Sequence, residues 1–218
     1  MYRFSFVNNI AGKAQEMSRQ LFHELIARDD VKRVCQLISE AETTDEIGRL
    51  KRGLPGICWH AWFDDGRRKN DAAHASGMIM LDLDHVDDPR ALFGKMKSEE
   101  TREHGSCYIG GHLLLAAHIT PSTKGLRLVF AMPEGMTDIV AAQAVIVRNL
   151  GLKNVDACTK DLARLSFCVP DDYWLYVDEE ALFEADHAVS PSLLPPAVIQ
   201  DEKHEEESEA ETEYPTHY

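Results

Sequence analysis

Hydrophobic and polar residues alternate along residues 77–88, and this stretch organises the interpretation of the whole chain. The alternation places two sets of side chains on opposite faces of a strand: Ile79, Leu81 and Leu83 on one, and Met80, Asp82 and Asp84 on the other. Two carboxylates on one face repel each other, and a divalent cation is the usual means of offsetting that repulsion. The pattern therefore predicts a strand that binds a metal ion through a D-x-D motif. The alternative is an edge strand with a solvated polar face.

The same periodicities predict the other elements. Helices are predicted at residues 14–27, 31–40, 44–53, 89–96 and 137–150, and strands at 3–7, 57–63, 125–130, 165–169 and 173–177. Residues 106–119 contain two apolar stretches that read as two strands or as one strand bent at Gly110 and Gly111, although 113–118 also fits a helix. We therefore divide the chain into a helical N-terminal part at 1–53, without chemistry of its own, and a core at 54–185.

Two further stretches place polar groups on strand faces. In the first, a turn containing Ser122 and Lys124 opens a strand on which Gly125 and Arg127 share a face. In the second, Asp156 follows a short apolar approach and Arg164 opens the strand at 165–169. Together with Asp82 and Asp84, they supply three carboxylates and several cations. Two-metal phosphoryl transfer requires this combination, with Mg²⁺ or Mn²⁺ on the acids and basic groups on the phosphates.

Composition and charge limit the class of protein. The net charge is −14, but nine acids against one lysine from residue 186 onward account for −8 and leave −6 for residues 1–185. Residues 186–218 are proline-rich and then acidic, which predicts a disordered tail or a linker. The five cysteines are scattered, and no apolar run is as long as a membrane span. We expect a cytoplasmic protein with no membrane partner and with its cysteines in the core.

The three motifs together resemble the archaeo-eukaryotic primase superfamily, and within it the primase-like domains of bacterial mobile elements, the VirE N-terminal or BT4734-like group. The first family motif is a hydrophobic strand ending in D-x-D, here residues 81–85. The second is S-x-x-G-x-H on a strand, which residues 122–127 match except that Arg127 replaces the histidine. The third is an acid followed by an arginine before a strand, here Asp156 and Arg164. The resemblance extends over residues 50–180 and includes 54–63 and 67–77.

This resemblance implies an α/β (α+β) fold with an RRM-like, antiparallel-rich palm sheet, flanking helices and an N-terminal helical or α/β lobe. It implies a metal-dependent DNA primase or polymerase with Asp82, Asp84 and Asp156 as catalytic metal ligands. Ser122, Lys124, Gly125, Arg127 and Arg164 would bind the phosphates of a nucleoside triphosphate. Single-stranded DNA or a primer-template would be the other substrate, and a helicase is a common partner in such proteins. Arg127 could bind phosphate bidentately but could not shuttle a proton.

Two alternatives remain open from the sequence. The D-x-D strand also resembles the nucleophile strand of haloacid dehalogenase-type phosphatases, in which Asp82 would be the nucleophile, Asp84 a general acid, and Asp171 and Asp172 the distal metal acids. A module with the primase fold that binds nucleic acid without catalysis is the second. The basic loop at 67–69 is either solvated or in contact with phosphate, and His60 is more simply a packed histidine than a ligand.

Overall fold

A computed structural model describes residues 2–103, 106–153, 155–156 and 160–183, and shows a mixed α/β protein with antiparallel sheets. The strands are β1 (Ser5–Val7), β2 (Gln15–Glu16), β3 (Gly56–Cys58), β4 (Ala61–Trp62), β5 (His74–Ala75), β6 (Met78–Asp84), β7 (Thr101–Glu103), β8 (Ser106–Ile109), β9 (His112–Ile119), β10 (Gly125–Ala131), β11 (Ser166–Phe167) and β12 (Trp174–Val177). The helices are α1 (Arg19–Ile26), α2 (Asp29–Glu40), α3 (Thr44–Arg52), α4 (Pro89–Ser98), α5 (Ile139–Asn149) and α6 (Glu179–Leu182). The predicted tail at 186–218 and Cys158 lie outside the described residues.

A six-stranded antiparallel sheet forms the centre of the fold. Its order is β6-β10-β9-β8-β7. The first half of β9 pairs with β8, and the second half of β9 pairs with β12 on the same side. A four-stranded sheet, β11-β3-β1-β2, lies beside it. The smaller sheet crosses the predicted boundary at residue 53, because β1 pairs with β3 and β3 pairs with β11.

Two apolar clusters cover the two faces of the central sheet. Ile79, Leu81 and Leu83 pack in one cluster, which also contains Phe93 from α4 and Ile146 from α5. Met78, Met80 and Val129 pack in the other, together with residues from β1, α1 and α2. The predicted alternation along β6 and β10 is therefore confirmed. The N-terminal elements cover only part of the sheet face that carries Met78 and Met80. Asp82 and Asp84 lie at the uncovered end of this face, where β6 continues beyond Met80.

The N-terminal elements differ from the prediction in two places. The first helix begins at Arg19 instead of residue 14, because Ser18 Oγ accepts a hydrogen bond from Leu21 N at 3.2 Å and caps it, while Gln15–Glu16 pairs with β1. The strand predicted at 57–63 is split into β3 and β4 by a turn at His60. The helices predicted to begin at residues 44 and 89 are confirmed, and Thr43 and Asp88 cap them.

Two buried histidines join the central sheet to its surroundings. His60 Nε2 accepts a hydrogen bond from Met80 N at 2.9 Å, so its Nδ1 carries the proton and donates to Asp161 O at 3.0 Å. His118 on β9 lies opposite Arg127, and its Nδ1 donates to Ile119 O at 2.8 Å. Burial, and secondarily Arg127, lower the pKa of His118 to about 3. Both histidines are therefore neutral in the folded protein, and His60 is packed as predicted.

Four of the cysteines are also in the core. Cys35, Cys58, Cys107 and Cys168 are buried and unbridged, and burial raises the pKa of the Cys35 and Cys58 thiols to about 12. Their assignment as small core residues is confirmed. Among the described helices, none combines the length and the apolar character needed to cross a membrane.

We predict that His118 makes the protein less stable in acid. Its pKa is about 3 when folded against the ordinary 6.5, so below pH 6.5 the unfolded chain binds a proton that the folded chain does not. The unfolding free energy should fall by about 2 kcal/mol from this group between pH 7 and pH 5. Urea denaturation at both pH values measures this fall in unfolding free energy. His118→Asn, which keeps a donor for Ile119 O, should lose about 2 kcal/mol less than the wild type between the two pH values. Equal losses in the two proteins would contradict the low pKa of His118.

We also predict that Gly125 tolerates no side chain. A Cβ at this position would lie 2.7 Å from Thr120 Oγ1 and 3.0 Å from Leu83 O. Both atoms belong to neighbouring segments of the sheet, which cannot move away from β10 freely. Gly125→Ala should therefore cost about 1–3 kcal/mol of unfolding free energy. Gly94→Ala in α4 is the matched control, since nothing lies within 4 Å of its Cβ. It should stabilise the protein by about 0.5–1 kcal/mol, and similar values for the two variants would disprove the steric role.

Candidate active site

Three carboxylates meet at one end of the central sheet. Asp82 and Asp84 lie on β6, and Asp156 joins them because its N–H donates to Asp82 O at 2.8 Å and Val155 forms a β-bridge with Leu83. Asp156 is thereby placed beside Asp82 on the outer edge of β6. The predicted combination of the D-x-D strand with a third acid is present in the structure.

A cavity of about 620 Å³ opens above these acids. Six of the eight predicted site residues line it: Asp82, Asp84, Asp156, Ser122, Arg127 and Arg164. Lys124 and Gly125 do not. The Lys124 side chain is exposed to solvent, and Gly125 contributes by allowing β10 to approach Thr120 and Leu83 closely. About half of the residues that line the cavity are charged, so its ligands are expected to be charged.

A buried ion pair forms the floor of the cavity. Arg127 and Asp82 are directly opposite each other on β10 and β6, and Arg127 Nη2 binds Asp82 Oδ2. Arg127 Nη1 donates to Ser166 Oγ at 2.8 Å, and Ser166 Oγ lies 3.4 Å from His118 Nε2. Asp82 and Arg127 are only 6% and 7% exposed, so the pair is shielded from water.

The pair leaves two buried polar atoms without a hydrogen-bond partner, Asp82 Oδ1 and Arg127 Nε. An unpartnered buried carboxylate oxygen is costly, and it marks a place where a ligand would restore the missing interaction. Asp82 lines the cavity, and its Oδ1 is buried from water. We therefore regard this oxygen as the most specific sign of a bound cation or donor.

Electrostatic interactions perturb two further groups. Burial raises the pKa of Asp84, and the neighbouring Asp82 and Asp156 raise it further, while Arg127 opposes the change. Burial likewise lowers the pKa of Lys51, as does Arg127, while Asp82 and Asp84 oppose it. Both shifts show that the cavity concentrates charges of each sign in a partly desolvated space.

Arg164 extends the cationic side of the cavity. Its Nη2 lies 3.7 Å from Asp156 Oδ2, and its side chain is 41% exposed. The guanidinium can therefore reach a ligand in the cavity while staying close to the third acid. Arg127 pairs with Asp82 and is buried, whereas Arg164 lies near Asp156 and is accessible.

The backbone at the rim is strained in two places. His85, directly after Asp84, has φ 56°, and Thr123, in the turn before β10, has φ 60°. Left-handed backbone is costly for a β-branched residue such as threonine. The two segments are joined by a hydrogen bond from Val86 N to Lys124 O at 3.0 Å. The strained turns thus lie beside the residues that line the cavity, which is typical of functional loops.

Sequence reasoning missed several residues of the cavity. Lys51 comes from α3, in the part to which we assigned no chemistry, and Arg68 and Lys69 come from the basic loop left undecided. Asn70 and Asp161 also line it and are bonded to each other, Asn70 Nδ2 donating to Asp161 Oδ1 at 3.3 Å. A run of three bases just before the D-x-D strand was the available signal for the loop. Nothing in the sequence indicated Lys51.

The acids fit a metal ion by their chemistry but are not arranged as a completed site. In the part of the chain that the structure describes, no group of three or more His, Cys, Asp or Glu side chains is close enough to hold a metal. Asp82 Oδ2 is in addition engaged by Arg127. The free Asp82 Oδ1, together with Asp84 and Asp156, supplies the hard oxygen ligands that Mg²⁺ or Mn²⁺ prefers.

Comparison with known proteins identifies a family for this chain. No curated protein and no solved structure matches it significantly. One family model does match, the BT4734-like N-terminal domain, over residues 49–176. The match spans more than half of the chain and includes every residue that the resemblance assigned to the site. The chain belongs to the BT4734-like N-terminal domain family.

Proposed function

We propose that this protein is a metal-dependent nucleotidyltransferase of the primase-polymerase type. The observation that carries the proposal is one cavity lined by four carboxylates, those of Asp82, Asp84, Asp156 and Asp161, and by five basic side chains: Lys51, Arg68, Lys69, Arg127 and Arg164. Carboxylates beside cations suit a substrate that brings both metal ions and phosphates.

The fold and the family support membership of the primase superfamily. The central sheet is antiparallel, with α4 and α5 on one face and the acids on the other. This arrangement agrees with an RRM-like palm, in which the open sheet face carries the catalysis. The family match covers all three motifs on which the resemblance was based.

Each residue has a role in this proposal. Asp82, Asp84 and Asp156 would hold Mg²⁺ or Mn²⁺, and the chemistry supplied by such ions would be activation of the attacking hydroxyl and neutralisation of the developing charge. Arg127 and Arg164 would bind the triphosphate, and Lys51 lines the same cavity. Ser122 also lines the cavity, and its hydroxyl would donate a hydrogen bond to a phosphate oxygen.

The proposed reaction extends or starts a nucleic-acid chain. The 3′-hydroxyl of a primer, or of an initiating nucleotide, attacks the α-phosphate of a nucleoside triphosphate. A new phosphorus–oxygen bond forms, the bond to the pyrophosphate breaks, and the hydroxyl proton is released to solvent. Arg127 remains cationic throughout, so it stabilises the phosphates and does not accept the proton. Single-stranded DNA is the template, and replication of a mobile element with a helicase partner is the proposed setting.

A non-catalytic nucleic-acid-binding module is the second candidate. Arg127 already neutralises Asp82, and no completed metal site occurs within the described residues. A protein that kept the fold and lost the metals would show this arrangement. The phosphatase alternative is weakened, because Asp171 and Asp172 lie in a short turn before β12 and do not line the cavity.

The first test is incorporation of labelled nucleotides on a single-stranded template with Mg²⁺ or Mn²⁺. Asp84→Asn should lower the rate by about 100-fold or more, because it removes a charge that the metals require. Asp171→Asn is the control outside the cavity and should keep the wild-type rate. Full activity of Asp84→Asn would contradict the proposal. An inactive wild-type protein that still binds the template would favour the non-catalytic module.

The second test is the dependence of metal binding on the nucleotide. Arg127 competes with a metal ion for Asp82, and a triphosphate gives Arg127 another anionic partner. Calorimetry should therefore show Mn²⁺ binding about 10-fold or more tightly when a nucleoside triphosphate with a non-hydrolysable α–β bridge is present. Arg127→Gln should abolish this coupling, whereas Arg90→Gln on α4 should preserve it. Equal Mn²⁺ affinity with and without the nucleotide would show that the ion pair does not compete.

A further inference from the structure

A second cavity, of about 410 Å³, adjoins the first. Two loops form it, residues 10–13 between β1 and β2 and residues 65–69 after β4. Three residues, Ile10, Arg68 and Lys69, line both cavities. The two cavities are therefore neighbours that share these three residues as a common border, and the first of them contains the three acids. We call the second cavity the side groove.

The side groove is basic although the chain is acidic overall. Lys13, Arg67, Arg68 and Lys69 line it, against the single carboxylate of Asp65. Asp65 is 3.4 Å from Arg67 Nε and also caps Arg67 N, so it fixes this side chain without cancelling the others. The net charge of the whole chain is −14, so this local excess of positive charge is not a general property of the surface.

The walls of the side groove are held in place by Arg68 and by the backbone. Arg68 Nη2 donates to Ile10 O at 3.0 Å and Arg68 Nη1 to Ala163 O at 2.9 Å. One guanidinium thus joins the loop at 10–13 to the segment that carries Arg164. Ala14 N donates to Gly66 O at 2.8 Å, and a Cβ on Gly66 would lie 2.9 Å from Ala14 O. A fixed groove is suited to a ligand with a regular spacing of charges.

An apolar side chain stands where the side groove meets the first cavity. Ile10 is 42% exposed, one of few large apolar residues at the surface of the described chain. Its neighbours Lys13 and Lys69 are exposed cations. An apolar contact flanked by cations matches a nucleotide unit, which has an apolar base face and a charged phosphate.

We propose that the side groove binds the sugar-phosphate backbone of a single-stranded nucleic acid and leads the strand to the three acids. Lys13, Arg67 and Lys69 contact successive phosphates, Arg68 holds the groove open, and Ile10 contacts a base. What the strand does on arrival rests on the proposed nucleotidyl transfer. Binding in the side groove itself does not require that activity.

The test compares two triple variants with the same change in net charge. Lys13→Ala/Arg67→Ala/Lys69→Ala removes the accessible cations of the side groove. Lys32→Ala/Arg33→Ala/Lys95→Ala removes three exposed bases from α2 and α4, away from both cavities. The probe is a fluorescein-labelled oligothymidylate of about twenty nucleotides, followed by anisotropy between about 50 and 200 mM salt.

We expect the groove variant to bind the probe about 10-fold to 100-fold more weakly at low salt. Its slope of log affinity against log salt should be smaller by about 2, because three phosphate contacts contribute about 0.7 each on a single strand. The control variant should stay within about 3-fold of wild type with an unchanged slope. Equal losses in both variants, or no binding by the wild-type protein, would overturn the proposal.

Two additional measurements separate this proposal from the proposed function. Equilibrium dialysis of a nucleoside triphosphate should give the same affinity for Lys13→Ala/Arg67→Ala, whose two side chains line only the side groove, and for the wild type. A loss of nucleotide affinity in this double variant would assign the groove cations to the nucleotide site instead. Competition by oligouridylate and by duplex DNA identifies the strand type, and preference for the duplex would contradict a single-strand path. If the probe binds through the groove but no nucleotide is incorporated, the nucleotidyl transfer fails and the groove stands.

Discussion

The buried ion pair between Arg127 and Asp82 is the constraint on which the site depends. It joins the two strands that carry the first and second motifs, and Ser166 holds the guanidinium from the neighbouring sheet. Removing one partner of such a pair leaves an uncompensated buried charge and costs about 3–5 kcal/mol. The pair therefore determines both the stability of this end of the sheet and the partner of the Asp82 carboxylate. A ligand that binds either residue must supply a new charged partner for the other.

The N-terminal elements complete the site by packing on the same sheet face. Met80, which is two residues before Asp82, packs against Trp59 and the residues of α1 and α2. His60 binds the N–H of Met80 and the carbonyl of Asp161, so it fixes the D-x-D strand relative to the segment that carries Arg164. Lys51 enters the cavity from α3. The same interface that buries the apolar core thus encloses the charged cavity.

Local patterns predicted much of this structure. Alternation along β6 and β10 fixed the faces of Asp82, Asp84 and Arg127, because side-chain direction in a strand depends only on residue parity. Capping residues fixed the starts of α3 and α4 in the same way. These features are set within a few residues of one another.

Features that depend on distant contacts were not predictable. Lys51 and Arg68 reach the cavity through the packing of whole elements, which no local pattern records. Lys124 lies within the second motif at a position that the motif leaves open, and its side chain is exposed to solvent in the turn before β10. Gly125 was assigned to phosphate binding, but its lack of a side chain is required by Thr120 and Leu83. The first helix began late because a capping serine and a strand pairing outweighed its apolar spacing.

The placement of Asp156 by a backbone hydrogen bond to Asp82 gives the acids the geometry of the sheet itself. Neighbouring strands are about 4.8 Å apart, and alternate residues on one strand are separated by about 6.8 Å. The spacing between the α-carbons of Asp82, Asp84 and Asp156 is therefore fixed by peptide geometry. The distance of each carboxylate from the backbone depends on side-chain length. An aspartate replaced by glutamate would move the carboxylate outward by one methylene while the α-carbons stay in place.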